Sequence, residues 1–170
     1  TLSSRSRLRL LGHRRKEGEA YFLQACNRGW EGIIAKQAAS TYVHGRSNRW
    51  LKFKCVNRQE LVIAGYTEPK GERTGFGALL VGYYAGQSLT YAGKVGTGYD
   101  EDTLDRLGRR LRSMERKTPP LDEDARLPSK GVHWVTPRLV GQFGFTEWTS
   151  DGKLRHPRFL GLRPDKDPED

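Results

Sequence analysis

The chain has 170 residues, with 30 Lys and Arg against 20 Asp and Glu, and a net charge of +10. That length holds one domain of ordinary size, or one small domain and a piece of another. No apolar run approaches a membrane span and no segment is laid out as a signal peptide, so no membrane association is expected. The excess charge lies in the first third. Residues 1–58 carry thirteen Lys and Arg against three Glu, and residues 59–170 carry seventeen of each sign. A polyanion partner and a basic solvated surface both fit that asymmetry. Cys26 and Cys55 share no metal-like or redox-like spacing and are read as reduced thiols of a cytosolic protein. The four histidines form no zinc motif. The chain begins with Thr1 rather than Met, and is expected to be a piece of something longer.

Within residues 1–16, Leu8 and Leu10 alternate with Arg7 and Arg9, as in a half-exposed strand. Glu17 to Arg28 is predicted helical, with Ala20, Leu23 and Asn27 on one face, Phe22 and Cys26 beside it and Gly29 as cap. Gly32 to Lys36 reads as a short buried strand, and the polar run Ser40 to Asn48 as a loop. From Trp50 to Val56, period two puts Lys52 and Lys54 on one side and Leu51 and Phe53 on the other.

Composition changes near Asn57 to Gln59. Strand-like runs at Leu61–Tyr66, Ala78–Tyr84 and Leu89–Val95 then alternate with glycine-bearing turns. Asp100 can cap a helix from Glu101 to about Arg116 that buries Leu104, Leu107, Leu111 and Met114. Thr118 to Lys130 reads as a loop, and Val132–Val135 and Pro137–Trp148 as further strands. The whole is mainly β with some α. Short strands around one helix outline a small Greek-key barrel of the OB type, with an SH3-like barrel as rival.

Three groups of residues carry candidate chemistry. A carboxylate at the mouth of a strand, Glu31, can ligate Mg²⁺, or can be a solvated Glu at a helix-to-strand junction. Lys52 and Lys54 repel one another on one strand face unless an anion lies between them, or else they form the charged face of an edge strand. Arg163, Asp165 and Lys166 stand in a charged tail, preceded by an apolar stretch from His156 to Leu162 able to dock it. Arg46 and Arg49 flank the lysine pair and could contact phosphates, or be surface arginines beside a loop. Gly93 to Gly98 lacks the spacing of a P-loop and reads as a turn.

Taken in order, Glu31-Gly32-Ile33-Ile34-Ala35-Lys36, Lys52-Phe53-Lys54 and Arg163-Pro164-Asp165-Lys166 resemble the ATP-dependent DNA ligases, most closely the ligase module of the bacterial DNA ligase D family. They look like nucleotidyltransferase motifs IV, V and VI. Ser40-Thr41-Tyr42, Gly45-Arg46-Ser47, Gly93 to Gly98 and His156-Pro157-Arg158-Phe159 are similar to ligase D phrases, so the likeness covers Gly29 to Lys166.

The resemblance implies an enzyme that seals nicks through enzyme-AMP and DNA-AMP intermediates, in DNA repair of the non-homologous end-joining type. It implies ATP and AMP as cofactor and Mg²⁺ (or Mn²⁺) as metal, with Glu31 as metal ligand. Lys52 and Lys54 would contact the AMP phosphate, and Arg163, Asp165 and Lys166 would orient the triphosphate. The implied substrate is nicked double-stranded DNA, for which Arg46 and Arg49 are the candidate phosphate contacts by their place beside the lysine pair. Residues 1–56 would be the C-terminal segment of an adenylation domain and residues 57–170 an OB-fold domain. Other implied partners are the missing N-terminal part of the adenylation domain and further end-joining proteins, in a bacterial cytoplasm or on its nucleoid.

Two parts of the family pattern are missing, the parts of the adenylation domain that hold adenine and ribose and the nucleophile. The nucleophilic lysine of a Lys-x-Asp-Gly motif is absent: the only Asp-Gly here is Asp151-Gly152, and Thr149 stands two residues before Asp151. The chain is therefore expected to be inactive alone, since a covalent mechanism without its nucleophile has no first step. The rival readings are a stand-alone OB-type module that grips nucleic acid without catalysis, and an RNA-capping guanylyltransferase. Glu31-Gly32 and the ligase D phrases argue against the second.

Overall fold

The structure, a computed structural model, describes residues 12–122, 127, 128 and 130–169. The alternation at Leu8 and Leu10 lies outside the described residues. The chain divides into two compact units between Cys55 and Val56, each described by itself.

The first unit holds helix α1 (Gly18–Asn27) and strands β1 (Gly32–Lys36) and β2 (Trp50–Lys54), which pair antiparallel. Two further backbone bonds extend the ladder. The Gln37 N–H donates to Arg49 O at 2.8 Å, and the Cys55 N–H to Glu31 O at 2.9 Å. Two expectations, on the burial of β1 and on the cysteines, need correction here. β1 is half-exposed rather than buried, because among the described residues its only sheet partner is β2. The buried residue of α1 is Ala25, while Leu23 is exposed. Phe22 meets Phe53 edge-on at 6.2 Å and Cys26 bonds to Cys55, and these contacts turn that face, not the Leu23 face, toward β2. The two cysteines are therefore a disulfide, not reduced thiols. Their 29-residue separation hid a Cα–Cα distance of 5.3 Å.

Among the described residues the second unit is a sheet with one helix. Its elements are β3 (Asn57–Thr67), β4 (Leu79–Ala85), β5 (Ser88–Val95), α2 (Glu101–Arg112), β6 (Glu115–Arg116), β7 (Val132–Phe145), β8 (Glu147–Trp148), β9 (Leu154–Arg155) and β10 (Arg158–Leu162). The antiparallel strand order is β10-β7-β3-β4-β5, with β6 on β7 and β8 paired to β9. The run β7-β3-β4-β5 is a Greek-key order: three consecutive strands, then a fourth returning beside the first.

β3 explains how the sequence builds this sheet. Leu61 and Ile63 join one core cluster, with Phe76, Leu104, Leu107, Leu111, Val135 and Phe143. Val62 and Ala64 face the opposite way into a second, with Leu80, Leu89 and Leu121. A strand buried on both faces reads as a continuous apolar run rather than an alternation. α2 covers the first face. Its start is capped by Asp100, whose Oδ1 accepts the Thr103 N–H at 2.8 Å, and this bond holds the Asp100 carboxyl below its ordinary range. Each buried leucine of α2 contributes about 2 kcal/mol by removing apolar area from water. The helix ends at Arg112, short of the expected Arg116, because Glu115 and Arg116 pair with Trp134 and Val135 instead. β7 runs unbroken through Val135–Pro137, where two strands were expected. The register shift falls at Ile63/Gly65 of the partner strand, where a side chain in place of Gly65 would meet His133 O.

The sheet edges β5 and β10 do not pair as strands among the described residues. One backbone bond links the segment after β5 to β10, from the Phe159 N–H to Thr97 O at 2.9 Å. Phe159 is buried and stacks on Tyr99, so the apolar stretch before the tail docks as expected. Burial is the main reason the Tyr99 hydroxyl resists ionisation. No helix of the described residues is long and apolar enough to cross a membrane.

Candidate functional site

Gly32 decides where Glu31 goes. Its φ of +151° lies in the region side chains rarely adopt, and a Cβ there would stand 2.0 Å from the Phe53 carbonyl oxygen. Only glycine lets the chain approach β2 this closely. Glu31 thus enters β1 directly beside the strand that carries the lysines. Lys52 Nζ donates to Glu31 Oε1 at 2.8 Å, and Lys54 Nζ lies 3.5 Å from the same oxygen. The period-two reading of β2 therefore holds: both ammonium groups are on one side and share one carboxylate. Lys52 first, then Lys54, hold the Glu31 carboxyl below its ordinary range. All three side chains are exposed, so each pair by itself adds little to stability. The cluster has two cations and one anion, and the surplus charge favours an anion such as a phosphate.

The loop between β1 and β2 is fastened to the same small sheet. Trp50 Nε1 donates to Ser40 Oγ at 3.2 Å, Lys36 Nζ sits 4.0 Å over the Trp50 ring, and Tyr42 meets Trp50 edge-on at 5.6 Å. Arg46 lines an open cleft here with Thr41, Tyr42, Ser47 and Trp50. Arg46 and Arg49 are exposed, and neither has an ion pair among the described residues. They are therefore available to a polyanion.

Among the described residues no three His, Cys, Asp or Glu side chains gather as a metal site. Glu31 fits a cation as a single carboxylate ligand only. That donor set suits Mg²⁺, which is often held by one or two carboxylates, with water and substrate phosphate completing the shell.

In the second unit, the tail after β10 is ordered. The Arg163 N–H donates to Val140 O at 2.8 Å, and the Lys166 N–H to Arg163 O at 3.2 Å. Asp165 grips the Arg163 guanidinium with both oxygens, at 3.0 Å from Nε and 2.8 Å from Nη2. That fork pushes the Asp165 carboxyl down to about 2. Glu60 on β3 takes the third nitrogen, Nη1. Sequence reasoning did not single out Glu60. The one available signal was a carboxylate beside the apolar run Leu61–Ala64, where an unpaired charge would be costly. Gly93 to Val95 are the last residues of β5, so only Gly96 to Gly98 lie in the connection before α2 and the reading of the whole run as a turn is too long.

The profile of the ATP dependent DNA ligase C terminal region matches residues 72–166. The multifunctional non-homologous end joining protein LigD of Pseudomonas aeruginosa is 42% identical over 149 residues, covering 84% of this chain and 17% of that protein. The ligase domain of LigD from M. tuberculosis is 40% identical with a TM-score of 0.64, over 89% of this chain and 50% of that one. A mycobacterial DNA ligase D complexed with ATP and MES is 39% identical with a TM-score of 0.60, over the same shares. The chain spans about a fifth of the length of the LigD relatives it matches.

Proposed function

This chain belongs to the family of the ATP-dependent DNA ligase C-terminal region, and on that premise we propose that it is the C-terminal part of an enzyme that seals nicks in double-stranded DNA during end-joining repair. Residues 1–56 supply the end of an adenylation domain. Residues 57–170 form an OB-type domain, a reading supported by the Greek-key strand order and by the backbone bond between Phe159 and Thr97.

The observation that carries the proposal is the meeting of Glu31 with Lys52 and Lys54 across 21 and 23 positions of sequence. Two ammonium groups held at one carboxylate suit a site where AMP changes partner. Lys52 and Lys54 neutralise the phosphate oxygens on which negative charge develops. Glu31, beside both lysines, is the residue that would hold Mg²⁺. That ion, when bound, supplies further neutralisation of the transferred phosphate. Arg46 and Arg49 contact DNA phosphates. Arg163, Asp165 and Lys166 orient the triphosphate in the first step, when pyrophosphate leaves. With no Lys-x-Asp-Gly in the sequence, the chain alone is not expected to take up label from α-labelled ATP.

The test compares two half-reactions in an intact ligase that contains this sequence. Arg163→Ala or Lys166→Ala should impair self-adenylation about a hundredfold more than sealing of DNA that already carries AMP. Glu31→Ala and Lys52→Ala should slow both steps, because the AMP phosphate takes part in each. Equal losses for the tail variants would remove the tail's assigned role.

A further inference from the structure

Each guanidinium nitrogen of Arg163 faces a carboxylate, and the two carboxylates differ in kind. Asp165 is two residues away in the same turn and travels with Arg163. Glu60 is 103 positions away, on β3. It stands opposite Gln142 of β7, which stands opposite Gly161 of β10, so Glu60, Gln142 and Gly161 form one row across three strands. Glu60 belongs to the sheet and Asp165 to the tail. Together the four charges of Glu60, Arg163, Asp165 and Lys166 sum to zero. A tail assigned to a polyphosphate is electrically neutral in this arrangement.

We propose that Glu60 is a positioning residue that holds Arg163 through Nη1 while no polyphosphate is present, and that a bound polyphosphate takes its place at that nitrogen. The inference rests on the reading of the tail given above. An arginine head has five N–H donors in a fixed fork, and the Asp165 fork uses only the Nε and Nη2 side. Exchange at Nη1 therefore leaves the tail's own turn intact. The magnitude also suits exchange. Side-chain exposure is 30% for Arg163 and 38% for Glu60, so the pair is partly hydrated and weak enough to be displaced, which a fully buried pair is not. Phosphate is the stronger competitor, since it offers several charged oxygens where Glu60 offers one carboxylate.

The test titrates the full 170-residue chain with inorganic tripolyphosphate by calorimetry, using Glu60→Gln, Arg163→Ala, Lys166→Ala and the Glu60→Gln/Arg163→Ala double variant. Glu60→Gln keeps the side chain's shape and an acceptor oxygen but removes its charge. It should tighten tripolyphosphate binding by about threefold to fivefold, as expected for removing a partly exposed competing ion pair. In the Arg163→Ala background that gain should vanish. No gain, or an equal gain in both backgrounds, overturns the inference, because the latter is only a general charge effect. Failure of the underlying reading shows differently. If Arg163→Ala and Lys166→Ala both bind as tightly as the unaltered chain, the tail is not a polyphosphate site at all. One measurement needs no variant: the Glu60 carboxyl carbon resonance of the unaltered chain should shift as tripolyphosphate saturates it, and a resonance that stays still overturns the displacement.

Discussion

Lys52 Nζ lies 2.8 Å from Glu31 Oε1 while Lys54 Nζ lies 3.5 Å from it, so one carboxylate serves two cations unequally. This inequality has a measurable consequence. The Glu31 carboxyl is held below its ordinary value of 4.5, chiefly by Lys52. A lowered folded value means that the contact contributes fully above the ordinary value and is lost as pH falls through the depressed one. The Glu31 carboxyl carbon, followed by NMR, should titrate below 4.5. Lys52→Met should return most of the shift and Lys54→Met less. The reverse order would contradict the geometry.

The basic excess of residues 1–58 predicts DNA binding that is weak, indifferent to sequence and salt-sensitive. Affinity for nicked duplex should fall with salt at a logarithmic slope of about −0.9 per phosphate contacted. Arg46→Ala and Arg49→Ala should each make that slope shallower by about one. Fluorescence titrations at several salt concentrations measure it, and a slope unchanged in both variants would remove the two arginines from the interface.

Gly98 sets how closely the exit of β5 approaches β10. Its φ is +96°, and a Cβ there would stand 2.2 Å from the Phe159 carbonyl oxygen. Gly98→Ala should lower stability by about 2–4 kcal/mol in urea unfolding, from backbone strain together with the clash. Gly86, at φ +66°, lies in the ordinary left-handed region with open space around it, so Gly86→Ala should cost only about 1–2 kcal/mol. Equal losses would mean that the contact with Phe159 carries no weight.

The Cys26–Cys55 bond closes a loop that contains Glu31, Lys52 and Lys54. A cross-link over a separation of 29 positions restricts the unfolded chain, by about 3–4 kcal/mol in the chain-entropy account. Reductant should therefore shift the unfolding of the chain to lower urea. The Cys26→Ala/Cys55→Ala variant should unfold at that lower concentration with or without reductant. Alkylation before reduction should label neither cysteine, and labelling of both would restore the reading as free thiols.

Much of the candidate site was legible in the chain because it depends on local rules. The shared side of Lys52 and Lys54 follows from the two-residue period of a strand. The cap at Asp100 and the Leu104, Leu107 and Leu111 face follow from helix chemistry in the same way. Other features were not legible because they are decided by pairing between distant segments. α2 ends at Arg112, short of the local pattern, and Glu115 and Arg116 pair with β7 instead.

The sequence by itself determined which cations and carboxylates are present, in what order, and that Lys52 and Lys54 share one side of their strand. These are properties of residue type and short-range period. Tertiary structure alone decided the partners. It brought Glu31 to both lysines, joined Cys26 to Cys55, and set Glu60 against Arg163 across 103 positions. The physical reason is that charge pairs and cross-links act over a few ångströms in space. Separation along the chain carries no such distance until strand register has been chosen, and the packing of the whole sheet makes that choice.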